Sequence, residues 1–252
     1  MAQRRAADAG LNDPARRALL AAAAALPACA AVPGAAPPTG PVPSGTLPAP
    51  VARVGDRWRY RIVDRYTDAW VDEPTWEVVE AGDLLRLKIS PRRSTPSHAL
   101  EERFASPWVA LTEVVFGSAY PFRDPVPIVP APLEYGRLVS TATTYVDPAA
   151  PRPRRWSQQV RVGGWESVTV PAGRFDCLRI GRTIAYEDPD GGRNGATRSD
   201  TLWYAPAVHR WVQRELRGEY VSTGVVHGTA ARGERVQEGW QLHQLSAYQA
   251  AR

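Results

Sequence analysis

The sequence has few of the residue types that cross-link a small fold or bind metal ions. Its 252 residues include two cysteines, one methionine, one lysine and four histidines. Two cysteines cannot build a disulfide framework, and His98, His209, His227 and His243 lack zinc-ligand spacing. No H-E-x-x-H, G-x-S-x-G or phosphate-loop motif is present. We therefore expect no catalytic, metal or cofactor site, and no enzyme of these common classes.

The apolar run at 18–26 is too short to cross a bilayer as a helix, which needs about 20 residues. Two arginines precede it, and this arrangement is typical of a signal peptide. The run ends in the sequence Leu-Pro-Ala-Cys at 26–29, which resembles the bacterial lipobox. The resemblance implies cleavage before Cys29 and lipidation of its sulfur, so we expect a lipoprotein signal peptide at 1–28. The alternative is an ordinary signal peptide with an incidental cysteine beside its cleavage site.

Acylation of Cys29 would make a lipid bilayer the first partner of the chain. It would also leave Cys177 without a disulfide partner, so we expect a small buried thiol there. The residue after the lipidated cysteine is Ala30. Among lipoproteins of Gram-negative bacteria, a residue other than aspartate here implies the outer membrane, facing the periplasm.

A tether rich in proline, alanine and glycine follows at 29–52. Residues 30–50 hold seven prolines and three glycines with almost no charge, so they cannot bury a core. Extended, they would span roughly 60 Å. The remaining residues, 53–252, suffice for a single domain. The net charge of +5 comes from a chain with 30 arginines and one lysine, which indicates coding bias and not a nucleic-acid partner.

The clearest strand pattern is a hairpin over 164–186. Apolar and polar residues alternate on both sides of a Val-Pro-Ala-Gly turn, as expected for strands, whose side chains repeat every second residue. Pro171 and Gly173 suit the backbone angles of that turn. Val168 and Val170 share one face of the first strand, and Glu166 alternates onto the same face.

Period-two alternation elsewhere predicts further strands. Trp58, Tyr60 and Ile62 face one way with arginines between them, and similar runs occur at 70–80, 84–89, 100–104, 108–116, 155–162, 198–205, 209–220 and 236–248. Five prolines after Tyr120 predict a long loop or an edge crossing, because proline cannot donate to a ladder. With no long amphipathic helix, we expect an all-β fold, a strongly curved antiparallel sheet or open half-barrel of about ten strands.

The Gly-x-Glu-x-Val-x-Val-Pro-Ala-Gly run at 164–173 and the Trp-Tyr-Ala-Pro run at 203–206 resemble a pattern of uncharacterised bacterial envelope lipoproteins. That group is similar to the half-barrel of the lipoprotein carriers LolA and LolB. The resemblance implies a curved sheet whose concave apolar face shelters a ligand. The chain lacks the helices that line the cavity of those carriers.

Two sets of residues allow more than one interpretation. Glu166 is either a buried carboxylate paired with Arg179 or Arg182, or a strand-end residue that reaches water. Six tryptophans either fill the core or floor a lipid or glycan groove, and the core is the simpler prediction: Trp58, Trp76, Trp108, Trp156, Trp203 and Trp240.

The sequence is compatible with three functional hypotheses. The first is a membrane-anchored binding or accessory module for an apolar ligand or an envelope protein partner. The second is an envelope hydrolase with a site built from loops. The third is a structural scaffold without a ligand. A deep apolar cavity would favour the binding module. A cleft with convergent carboxylates would favour the hydrolase, and a filled core with flat faces would favour the scaffold.

Overall fold

The computed structural model describes residue 47 and residues 49–93, 100–147, 150–224 and 232–251. These form antiparallel β structure with a short 3₁₀ turn at Pro206–Val208. The strands are β1 (Arg57–Asp64), β2 (Trp70–Asp72), β3 (Thr75–Glu80), β4 (Leu85–Ser90), β5 (Leu100–Ser106), β6 (Val109–Val115), β7 (Ser118–Pro127), β8 (Leu138–Asp147), β9 (Ala150–Val170), β10 (Gly173–Tyr186), β11 (Arg193–Ala205), β12 (Arg210–Ser222) and β13 (Arg235–Gln249).

The strands form one sheet that closes on itself. From β3 to β13, each strand pairs with its neighbours in sequence, and β1 closes the ring by pairing with β13 from Arg57↔Gln249 to Asp64↔Gln241. On its other edge, β1 pairs first with β3 and then with β2. The short β2 therefore adds to a closed barrel made by the other strands.

Alternation places one set of side chains in the barrel interior. In β1, Trp58, Tyr60 and Ile62 are buried, whereas the arginines between them are exposed, as predicted. Charged residues on the outer face keep their contact with water, and the aromatic rings lose theirs.

The hairpin predicted over 164–186 is confirmed. Gly173 pairs with Val170, so the turn consists of 171–172. The φ angle of Gly173 is 135°, a value that L side chains rarely adopt, and this explains the glycine. The separate strand predicted at 155–162 is continuous with the hairpin, because β9 runs for 21 residues.

The segment after Tyr120, for which a long loop or an edge crossing was predicted, continues as a strand up to Pro127. The prolines lie within and just beyond β7, which pairs along β6. Proline has no N–H to donate, and a single backbone pair, Phe122↔Tyr145, joins β7 to β8. The prolines therefore weaken one seam of the barrel instead of ending the strand.

The all-β antiparallel class and the strong curvature are confirmed. The barrel is closed and not open. Twelve strands form it and β2 adds to it, so the described chain has 13 strands where about ten were predicted. The strand β8 was not predicted, because the inward and outward positions over 138–144 differ little in polarity and none is fully buried.

Aromatic side chains fill much of the interior. The largest rings that are almost completely buried are Trp58, Trp108, Trp156, Tyr60, Tyr145 and Phe104. Trp76 is also buried, so four of the six tryptophans lie in the core, whereas Trp203 and Trp240 are partly exposed on the wall. The open apolar cavity that the carrier resemblance implied is not formed by the part of the chain that the structure describes.

Several predictions concern residues outside the described part of the chain. These are the signal peptide at 1–28, Cys29, most of the tether at 29–52, His98 and His227. Among the residues that are described, no helix is long and apolar enough to span a membrane.

Candidate functional site

Four charged side chains meet inside the barrel and form the inner ion cluster: Glu113, Arg182, Asp200 and Arg214. Each is at most 4% exposed. Arg182 donates to both oxygens of Glu113 at 2.8 Å and to Asp200 at 2.6 Å. Arg214 donates to Glu113 at 2.6 Å and to Asp200 at 2.8 and 3.0 Å. Two positive and two negative charges therefore neutralise each other in a site closed to water.

The strand order explains how these residues meet. Asp200 lies on β11, between Arg182 on β10 and Arg214 on β12. Each alternates with buried aliphatic residues of its own strand, so the same periodicity that buries those residues directs the charges inward. Glu113 reaches the three from β6, across the interior.

The cluster remains ionised because every charge in it is paired. Burial opposes ionisation of Glu113, but Arg182 and Arg214 outweigh it and lower the pKa of that carboxyl to about 2. Burial would lower the pKa of both arginines, and the two carboxylates raise it instead. The ion pairs of the cluster join side chains from β6, β10, β11 and β12.

Outside the inner ion cluster, the buried cation Arg210 lies in a cage of indole rings. Its guanidinium carbon is 4.2 to 5.7 Å from the ring centroids of Trp58, Trp76, Trp108 and Trp211. Its Nη2 donates to Glu102 at 3.1 Å, the one carboxylate beside it in the described chain. Burial raises the pKa of Glu102 although Arg210 opposes this. The ring faces replace part of the water that the cation has lost.

His243 gives the interior a measurable pH dependence. Burial and the charges of Arg214 and Arg210 lower its pKa to about 3. The unfolded chain accepts a proton on this residue below about pH 6.5, whereas the folded chain resists it. The contribution of neutral His243 to the free energy of unfolding is therefore fully present above pH 6.5 and is lost as the pH falls toward 3.

We expect the free energy of unfolding to decrease between about pH 7 and pH 5, with a slope approaching about 1.4 kcal/mol per pH unit. Urea unfolding over this range measures the slope, and His243→Gln is expected to flatten it. Equal slopes for the two proteins would contradict the assignment.

A cleft of about 550 Å³ opens at one end of the barrel and is called here the end cleft. It lies where the β6–β7 turn, the end of β8 and the β10–β11 connection meet. Its polar side chains are Tyr120, Tyr145, Asp147, Asp188, Asp190, Arg193 and Glu238. Four carboxylates and one arginine on the lining give the end cleft an excess of negative charge.

Glu238 receives the most hydrogen bonds among the cleft carboxylates. Arg193 Nη1 and Arg198 Nε each donate to it at 3.2 Å, and the Tyr186 hydroxyl donates at 3.0 Å. Gly218 leaves room for this carboxylate, since a Cβ there would come within 2.4 Å of its Oε2. The arrangement fixes Glu238 in the wall of the cleft.

The carboxyl group of Asp188 has a raised pKa. Burial raises its pKa, although the backbone N–H of Asp190 at 2.9 Å and Arg193 at 3.6 Å oppose the shift. Its neutral form is therefore favoured more than that of an exposed aspartate. A carboxyl group in this state can donate a hydrogen bond to a bound polar molecule.

Glu166 fits neither of its two interpretations completely. It pairs loosely with Arg179, at 3.9 Å, and its side chain remains 28% exposed. Its shorter contact is with the indole N–H of Trp203, which donates at 2.7 Å. Arg182 is not its partner, because that side chain belongs to the inner ion cluster.

Cys177 and His209 were also singled out from the sequence, and both lie in the described part of the chain. Cys177 is buried and free, as predicted, and burial raises the pKa of its thiol to about 12, which disfavours the nucleophilic thiolate. His209 ends the 3₁₀ turn in a left-handed conformation. Within the described ranges, no group of three or more His, Cys, Asp or Glu side chains could hold a metal ion.

These features define a closed antiparallel β-barrel with an ion-paired interior and an acidic cleft at one end. Neither the inner ion cluster nor the end cleft was selected from the sequence. A signal for the cluster existed, because Arg182 and Arg214 occur in phase with apolar residues. The cleft left no comparable signal, since its residues come from separate turns.

No protein-family model and no curated protein matches the chain. Three solved structures resemble it in fold. A candidate lipoprotein of Parabacteroides distasonis is 12% identical with a TM-score of 0.48, and a candidate exported protein of Bacteroides fragilis with a YmcC-like fold is 11% identical with a TM-score of 0.49. Each match covers 81% of this chain and 100% of the other. The hypothetical lipoprotein YmcC of Escherichia coli is 8% identical, with a TM-score of 0.39 and coverages of 77% and 84%.

Proposed function

We propose that the chain is a lipid-anchored protein of the bacterial envelope that acts as a binding or accessory module and not as an enzyme. The anchor is supported by the lipobox-like sequence that ends at Cys29, and an outer-membrane position facing the periplasm by Ala30. The observation that carries the binding role is the end cleft, which is open and carries four carboxylates while the barrel interior is filled. A polar ligand, or the polar surface of an envelope protein, suits this cleft better than the apolar ligand first expected.

A hydrolase is the second candidate, and Asp188 is the observation that favours it. A carboxyl group with a raised pKa beside other carboxylates can act as a general acid. The neighbouring Glu238 is held by two arginines and a tyrosine, which leaves it poorly placed as the matching base. Binding therefore explains the cleft with fewer assumptions.

Native mass spectrometry of the protein purified from its own membrane tests the proposal. We expect a mature chain that begins at an acylated Cys29 and carries a polar molecule. The variant Asp188→Ala with Asp190→Ala should lose that molecule, whereas the exposed turn variant Asp83→Ala should retain it. An unmodified Cys29 would remove the anchor, and a bare chain would favour the scaffold hypothesis. Release of a cleaved product would favour the hydrolase.

A further inference from the structure

We infer that the outer wall of the barrel at β1, β2, β12 and β13 binds the anionic headgroups of a lipid surface. The contact surface, called here the arginine–tryptophan patch, consists of three aromatic side chains and the arginines around them: Tyr66, Trp70, Trp240, Arg61, Arg65, Arg93 and Arg217. The inference uses the proposed envelope location only for its setting, because the chemistry of the patch does not depend on an acylated Cys29.

Strand registers bring the aromatic members together on the outside of the barrel. Val63 pairs with Trp70 on one side and with Leu242 on the other, so the three form an apolar row across β2, β1 and β13. Beside this row, the rings of Tyr66 and Trp240 meet with centroids 5.6 Å apart. The result is a continuous apolar strip across three strands.

Part of the strip is exposed, whereas Val63, Trp240 and Leu242 are half-buried. Tyr66 is 49% exposed, Trp70 is 38% exposed, and the neighbouring Val71 is 42% exposed. Tryptophan and tyrosine suit the boundary of a membrane, because each has an apolar ring and a polar group that stays hydrated. The side chains that this wall leaves outside are therefore those that a bilayer surface accommodates.

Arginines cover the faces of these rings. The guanidinium carbon of Arg93 is 4.4 Å from the ring centroid of Trp70, and those of Arg65 and Arg217 are 5.7 and 5.5 Å from that of Trp240. Sugar rings and nucleic-acid bases bind tryptophan by stacking on its face, and here guanidinium groups occupy that position. The geometry favours phosphate groups, which bind guanidinium directly, over a glycan.

The arginines of the patch also carry positive charge that carboxylates of the described chain largely leave unpaired. Arg65 pairs with Asp68, whose side chain is 74% exposed, so the pair is weak. In the described chain, no carboxylate forms an ion pair with Arg61, Arg93 or Arg217. Each basic residue beside an anionic leaflet increases binding about fivefold, an effect that salt weakens.

A site-specific probe tests the inference in the full chain with Cys29→Ala, which cannot be acylated. An environment-sensitive fluorophore is attached through Val71→Cys, next to Trp70 of the patch, or through Ser157→Cys on the exposed face of β9, and Cys177 is too buried to compete. We expect vesicles of phosphatidylcholine with about one-third phosphatidylglycerol to shift the emission at position 71 and not at 157, and pure phosphatidylcholine to shift neither. No shift at position 71 would overturn the inference, even if the chain sediments with the vesicles.

Charge variants give an independent readout in the same background. Arg61→Gln with Arg93→Gln is expected to raise the vesicle concentration that gives half of the shift at position 71 roughly 25-fold, since two basic contacts are lost. The matched control, Arg155→Gln with Arg161→Gln, has the same net charge and alters the outer face of β9, so it should leave the shift unchanged. If both double variants weakened vesicle binding equally, the effect would come from net charge and not from the patch. Competition by dextran sulfate without any response to vesicles would assign the patch to a polysaccharide.

Discussion

Replacing Arg182 with methionine is expected to lower the free energy of unfolding by about 3 to 5 kcal/mol. Methionine retains much of the apolar volume of the side chain, but Glu113 and Asp200 then share a single guanidinium, that of Arg214. A net negative charge would remain in a part of the barrel that excludes water. Urea unfolding followed by tryptophan fluorescence measures the loss through the midpoint and slope of the transition.

Two further variants separate charge from packing. Arg182→Met with Glu113→Gln restores neutrality, so it should recover most of the stability that the single variant loses. Arg155→Met alters a side chain that is 90% exposed and should change stability by less than about 0.5 kcal/mol. A double variant as unstable as the sum of its two single changes would contradict a coupled cluster.

Alternation in the sequence was sufficient to predict much of the barrel wall. Trp58, Tyr60 and Ile62 were assigned to the core from their spacing alone, and the hairpin at 164–186 followed from its turn residues. Both depend on interactions between residues close in the chain. The alternation of apolar and polar residues is informative wherever one face of a strand contacts water and the other is buried.

Closure of the barrel depends on contacts that no local pattern contains. β1 and β13 pair although nearly the whole domain separates them in sequence, so nothing near Arg57 indicates Gln249 as its partner. β8 was missed because its two faces are similar in polarity. The prolines of β7 gave no indication of a strand for a related reason. A strand can contain prolines if one of its edges is weakly paired, and that pairing depends on the topology.

The inner ion cluster could be half predicted from the sequence. The position of Arg182 among alternating apolar residues marks a charge directed into the core. Its partner, Glu113, is 69 residues away, and only the strand order brings the two together. The same holds for the end cleft, whose carboxylates lie on three separate segments. Residue types can therefore indicate that a buried charge exists, but the topology determines what neutralises it.

Replacing Arg210 with methionine is the second large effect we expect, again about 3 to 5 kcal/mol near neutral pH. The variant loses the cation that four indole rings surround, and it leaves Glu102 buried without its guanidinium partner. Intrinsic tryptophan emission should also change, because the guanidinium lies within 6 Å of four emitting rings.

The cost of this substitution should depend on pH in a predictable direction. Burial already raises the pKa of Glu102, and loss of Arg210 raises it further. Above the pKa of an unfolded glutamate, about 4.3, the folded variant then holds a proton that the unfolded chain has released. Its stability must fall as the pH rises through the folded pKa, so the cost should be larger near pH 8 than near pH 4.

Adding Glu102→Gln to Arg210→Met removes the group that titrates. The remaining cost should then be nearly constant with pH and should reflect only the lost packing and ring contacts. A pH dependence that persists in the double variant would assign the effect to another carboxyl group. A constant cost in the single variant would mean that water reaches Glu102 once the arginine is gone, and that the indole cage does not keep this part of the barrel dry.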